Sequence, residues 1–197
     1  ITVAAKEAGG DPEMNAKLRT ASQNAKAQNM PKDNIESAIK RAEGKDADTF
    51  VEVNYEGKGP HWVLVFVECA TDNTTRTVAN VNSYFNKSGG SLAPSWSLEF
   101  MFSRRAVFEF PKTEELDLEE LELELIDAGL EEIETDESNV DLYGDHTNFG
   151  NLSRALEDKG IEPDNSTLQR MPTTPVDFTE EQMEEIEKML DKIEDDD

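Results

Sequence analysis

The sequence predicts an α+β protein that begins with a small helical segment and ends in a ferredoxin-like sandwich. Three observations predict it. Apolar residues recur at helical spacing through residues 15–44, the period drops to two from Phe50, and from Ala106 onward the order reads βαββαβ. The chain's 197 residues can bury a real core in one large domain or in two to three small ones.

The first helix follows the Asp11-Pro12 turn, with Asn15 as its cap and Leu18, Ala21 and Ala25 on one face. Pro31 opens the second, which carries Ile35, Ala38, Ile39 and Ala42 and reaches Gly44, where a left-handed cap is expected. Helices this short bury little alone, so they read as the remnant of a helical domain whose first part is absent. Phe50–Tyr55 and His61–Val67 alternate as strands of a hairpin, joined by Glu56-Gly57-Lys58-Gly59-Pro60. Asp72 or Asn73 then caps a helix with Val78, Val81 and Phe85 inward, ending at Gly89-Gly90. Strands are expected around Leu98–Phe102 and Ala106–Phe110, divided by Ser103-Arg104-Arg105.

The C-terminal region repeats the mixture. Asp117 and Glu120 resemble a capping box for a helix bearing Leu118, Leu121 and Leu125 and stopped by Gly129. Strands follow near Leu130–Thr135 and Val140–Tyr143. Thr147 is then placed to cap a helix with Phe149, Leu152 and Leu156 inward and Gly160 as its stop, before a last extended stretch near Thr167–Met171. Thr179 and Gln182 form a capping box for the final helix, whose stripe of Met183, Ile186, Leu190 and Ile193 must pack on something; the linker at Pro172 and Pro175 lets it fold back onto the middle segment.

Charge divides the chain unevenly. The formal total is -25. Residues 1–45 carry 8 basic and 6 acidic side chains, for +2, whereas residues 113–197 carry 5 basic and 30 acidic, for the entire -25. A polyanion is repelled by the C-terminal part and would approach the N-terminal and middle segments. Lys17, Arg19, Lys26, Lys32, Lys40 and Arg41 decorate the first helices, and Arg76, Lys87, Arg104 and Arg105 are the further basic residues placed to meet phosphates.

Signatures of catalysis are missing. The sequence holds no phosphate-binding G-x-x-x-x-G-K loop, no G-x-G-x-x-G, no H-E-x-x-H and no EF-hand loop. His61 and His146 lack metal-ligand spacing, and the single cysteine, Cys69, reads as a small buried residue that forms no internal disulfide. No cofactor, metal or catalytic residue is expected. The longest apolar run, Trp62–Val67, is too short to cross a membrane, so no membrane partner is expected and a cytoplasmic location fits.

Longer motifs carry a resemblance. Gly9-Gly10-Asp11-Pro12, Asn15 and the run Asn29–Glu36 continuing through Ala38-Ile39-Lys40-Arg41 resemble the N-terminal domain of the YebC/PmpR family. Glu68–Asn73 with Arg76-Thr77-Val78-Ala79 and Gly89-Gly90 is similar to its second signature, and Pro172–Val176 with the last helix to its C-terminal region.

The resemblance implies a truncated N-terminal helical bundle followed by two α/β domains. The expected boundaries are 1–46, then 47–112 with 172–197, then the acidic domain 113–171. It also implies a further basic stretch before residue 1 and a further strand after residue 197. Thr74, Thr75 and Asn82 stand where relatives often carry basic residues. The function implied is a non-enzymatic regulator of gene expression, foremost a DNA-binding transcriptional regulator. Its alternatives are a ribosome-associated translation factor and an acidic scaffold. Expected partners are DNA, RNA or the ribosome through the N-terminal and middle domains, and proteins on the acidic domain.

Overall fold

The computed structural model describes residues 1–44, 49–114 and 116–196. In chain order the elements are α1 (Thr2–Ala8), α2 (Ala16–Ala27), α3 (Lys32–Glu43), β1 (Val51–Lys58), β2 (Leu64–Thr71), α4 (Thr74–Lys87) and β3 (Ser91–Leu92), then β4 (Phe102–Pro111), α5 (Leu118–Ile126), β5 (Leu130–Thr135), β6 (Asn139–Asp145), α6 (Phe149–Asp158), β7 (Asn165–Pro172) and α7 (Glu180–Glu194). They form two compact units, Ile1–Ala47 with Arg104–Met171, and Asp48–Ser103 with Pro172–Asp197. None of the helices among the described residues is long and apolar enough to cross a membrane.

In the first unit, Asn15 ties the N-terminal helices together. Its Oδ1 accepts from Leu18 N at 3.1 Å, capping α2, while its Nδ2 donates to Ala4 O at 2.6 Å and Gly9 O at 2.9 Å, so one buried amide fixes α1 against α2. Ala5, Leu18 and Ile35 are the buried apolar side chains of these three helices. Helix α1 was not foreseen from the sequence, since Ile1 supplies no side-chain cap. Gly44 does not take the left-handed cap expected of it: its φ is -61°, and the backbone leaves α3 extended.

The rest of this unit is the ferredoxin-like sandwich. Strand β4, which a boundary at 112/113 would leave in the middle domain, hydrogen-bonds into the sheet β5-β6-β4-β7; numbered within the βαββαβ unit, that order is 2-3-1-4. Ala106, Phe108 and Phe110 point to one face of β4, where they meet Leu121 and Leu125 of α5, Val140 and Leu142 of β6, and Leu152 and Leu156 of α6. Phe108 stacks on Phe149 with centroids 5.0 Å apart. Helix α6 is not capped by Thr147. Asp145 accepts from Thr147 N at 2.9 Å and caps a 3-10 turn instead, and α6 starts from Asn148. Asn24 of α2 and Ser166 of β7 exchange two hydrogen bonds, at 2.8 and 3.0 Å.

The opposite sheet face is acidic. Asp141 of β6 lies directly across from Glu109 on one side and Glu134 on the other. Burial first, and then the neighbouring Glu109, Asp136 and Glu134, hold the Asp141 carboxyl above the usual carboxylate range. A raised folded-state value means that the native state takes up this proton more readily than the unfolded chain, so the ionised group destabilises at neutral pH. Asp141→Asn is therefore expected to stabilise the first unit by about 0.5 kcal/mol at pH 7, a figure kept small because the row faces solvent. The gain should shrink as pH falls through the raised value and vanish below the ordinary 3.8 of an unfolded aspartate, which urea unfolding midpoints at pH 7 and about pH 3 will read.

The second unit holds the sheet β2-β1-β3 with α4 and α7. The hairpin pairs Val51 with Thr71 through Lys58 with Leu64, so Glu56, Gly57 and Lys58 belong to the strand and not to the turn. His61 and Trp62, read as strand, occupy a 3-10 turn with left-handed φ values of 56° and 65° after Pro60. Asn73 caps α4 by accepting from Arg76 N at 3.0 Å. Thr77, not Val78, faces inward, its hydroxyl donating to Thr71 Oγ1 at 2.7 Å, while Val78 is exposed.

The strand expected at Leu98–Phe102 is a 3-10 turn over Glu99–Met101. The buried carboxylate of Glu56 explains this, because it accepts from Trp96 N at 2.8 Å and Leu98 N at 2.6 Å and so draws these donors away from a ladder. Helix α7 has the reciprocal Thr179/Gln182 box and packs on α4 through Met189, with Leu190 and Ile193 beside it; Met183 of the expected stripe is exposed.

Candidate nucleic-acid interface

Helical geometry gathers four of the ten basic residues singled out from the sequence. On α2, Arg19, Ser22, Gln23 and Lys26 repeat at i, i+3, i+4 and i+7, so they share one face along about 10 Å of helix. On α3, Lys32, Ile35, Glu36, Ile39, Lys40 and Glu43 do the same over about 16 Å. The two faces line a common groove of about 510 Å³, to which Gly10 and Pro12 also contribute. A Cβ on Gly10 would lie 2.8 Å from Ile39 Cγ2, so only glycine lets that loop approach α3 so closely.

The groove is cationic on balance. Arg19, Lys26, Lys32 and Lys40 outnumber Glu36 and Glu43, leaving +2, which equals the net charge of residues 1–45 as a whole. Lys32 stands 3.6 Å from Glu36, one turn away, with 82% of its side chain exposed, a pairing that solvent renders weak. The floor differs from the rim. Ile35 is buried, and Ser22 is buried with its Oγ lacking a hydrogen-bond partner.

The other six residues lie elsewhere. Lys17 pairs with Glu7 at 2.6 Å, joining α2 to α1, and Arg41 is exposed on α3 outside the groove. In the second unit Arg76 donates to Asp72 Oδ1 at 2.7 Å, and Lys87 is exposed in the last turn of α4. Arg104 is exposed on β4. Arg105 is held by Glu131 at 3.1 Å and Glu132 at 3.0 Å and lies over the Tyr143 ring at 5.3 Å, so its guanidinium braces β4, β5 and β6 of the sandwich. Burial first, and then Glu134 and Asp141, push the Tyr143 hydroxyl up to about 12.

Other chemistry is sparse. Burial, and then Asp196, push the Cys69 thiol up, which disfavours the reactive thiolate. His61 sits 2.8 Å from Glu185, and His146 lies 3.4 Å from the neighbouring Asp145. Among the described residues no group of three or more His, Cys, Asp or Glu could hold a metal ion.

Sequence reasoning missed Ser22, Gly10 and Ile39 as parts of the groove, although counting three, four and seven residues from Arg19 points to Ser22, Gln23 and Lys26 together.

Comparison with known proteins adds relatives along the whole chain. A family model described as the TACO1/YebC protein N-terminal domain matches residues 1–45, and one described as the TACO1/YebC second and third domain matches residues 50–197. A probable transcriptional regulatory protein of Wolinella succinogenes is 65% identical over 198 residues, spanning 100% of this chain and 84% of that one. One from Sulfurovum sp. is 57% identical over 205 residues with the same coverage. The crystal structure of a conserved hypothetical protein from Aquifex aeolicus is similar with a TM-score of 0.83 at 34% identity, covering 98% of this chain and 80% of that chain.

Proposed function

The chain belongs to the TACO1/YebC family, and from that membership we propose that it is a non-enzymatic, cytoplasmic regulator of gene expression that binds nucleic acid. The observation that carries the reading is the groove between α2 and α3, where Arg19, Lys26, Lys32 and Lys40 converge in a chain that is otherwise strongly acidic. The names of the relatives, probable transcriptional regulatory proteins, support regulation of transcription as the process. Three domains are part of the proposal, with β4 counted in the acidic one.

The mechanism is electrostatic sorting. Phosphates displace condensed counterions when Lys and Arg neutralise them, which rewards contact with the N-terminal helices, while the -25 of residues 113–197 repels the same polyanion and orients the protein on it. The test titrates the protein with duplex DNA and with ribosomal subunits across a range of salt. Salt-dependent duplex binding with sequence preference supports transcriptional control. Co-sedimentation with ribosomal subunits and no sequence preference moves the function to translation. The absence of salt-dependent binding to DNA, RNA and ribosomes alike would replace the proposal with an acidic scaffold.

A further inference from the structure

We propose that the groove between α2 and α3 is a phosphodiester site, in which Ser22 supplies a neutral hydrogen bond to the backbone of one nucleic-acid strand while Arg19, Lys26, Lys32 and Lys40 supply the charge. The inference rests on the nucleic-acid reading above and deepens it.

Ser22 is the observation that separates this groove from ordinary basic surface. It is 5% exposed at the groove, and its Oγ has no hydrogen-bond partner. A buried hydroxyl without a partner costs stability in the free protein, so a partner from outside gains what the fold forgoes. Serine turns between three staggered χ1 positions, so an oxygen arriving at the floor can draw the hydroxyl toward itself.

The occupant follows from charge and size. Four cations against two carboxylates select an anion, and their spread over about 10 Å of α2 and about 12 Å of α3 suits charges repeated along a strand better than a single ion. A volume near 510 Å³ admits a nucleotide-sized unit and not a whole duplex. Ile35 and Ile39 at the floor offer apolar contact to a sugar. An acidic peptide would use the same cations but brings no sugar to set against Ile35 and Ile39.

The experiment uses the full chain and Ser22→Ala, with labelled oligo-dT, oligo-U and a short DNA duplex as probes and poly-glutamate as the rival. Ser22→Ala should bind its strand roughly 10-fold more weakly with an unchanged salt slope, because the lost donor carries no charge. Its melting temperature without ligand should stay the same or rise, since the unpaired hydroxyl is gone. Which of the three nucleic-acid probes shows the loss identifies the source of the phosphate. If the wild-type protein binds none of them and no ribosomal subunit either, the proposed function itself fails; binding to subunits alone, undiminished in Ser22→Ala, makes only the phosphodiester site wrong. If it binds the nucleic-acid probes and Ser22→Ala binds equally well, only the phosphodiester site is wrong. Ser22-dependent binding of poly-glutamate without binding of any nucleic-acid probe would make the groove a site for acidic proteins and overturn both.

Discussion

Neutralising Arg19, Lys26, Lys32 and Lys40 together to Gln is expected to lower affinity for nucleic acid by at least about 100-fold at moderate salt, with the fold intact. The four side chains line the groove, whereas the buried apolar residues of α2 and α3, Leu18 and Ile35, are untouched, so loss of charge leaves the packing in place. The sharper readout is the slope of log K against log salt. Each phosphate contact contributes about 0.9 to that slope on duplex DNA and about 0.7 on a single strand, so the variant's slope should be shallower by roughly three. Lys188→Gln is the control, since Lys188 is 70% exposed on the acidic helix α7 and should change neither quantity. A fourfold variant that kept its affinity and slope would move the interface to Arg76, Lys87 or Arg104.

Phe85→Ala should destabilise the second unit by about 3–5 kcal/mol, the cost of deleting a fully buried ring. Phe85 is central to a small core with Val67, Val81 and Met189, and Gly57 of β1 exists to receive it: a Cβ there would sit 2.7 Å from Phe85 Cζ. Gly57→Ala alone should therefore also destabilise, by overpacking of about 1–3 kcal/mol. The double variant should be more stable than the sum predicts, because the alanine methyl enters space the ring has left. Urea unfolding read by circular dichroism gives the three values, and strict additivity would contradict the contact. The loss is a large fraction of a typical domain's 5–15 kcal/mol, roughly.

Much of the fold was legible because single residues announce helix starts and stops. Asn15, Asn73, Asp117 and Thr179 all cap as their chemistry requires, and Gly129 and Gly160 turn left-handed after their helices. The sandwich was legible because its βαββαβ order leaves few ways to bury alternating apolar residues.

Two of the misreadings share a cause, a polar partner outside the local pattern. Glu56 of β1 captures the amides of Trp96 and Leu98 and converts an expected strand into a turn, and no local window contains both ends of that contact. Thr77 is buried in place of Val78 because Thr71, six residues away, satisfies its hydroxyl. Arg105 gains its partners in the same way, since Glu131 and Glu132 lie far along the chain and reach it only once β4 and β5 join one sheet. The groove was half legible. Its cations were named singly, but their convergence depends on the packing of α2 against α3, which the sequence does not state.

The central claim, that nucleic acid lies along the α2–α3 groove, is tested most directly by ultraviolet crosslinking of a bound oligonucleotide, followed by proteolysis and mass spectrometry of the modified peptides. Adducts are predicted on the segments Arg19–Lys26 and Lys32–Glu43, and they should disappear in the fourfold Gln variant. Adducts confined to residues 49–103 or 104–171, with the α2 and α3 peptides unmodified, would contradict it.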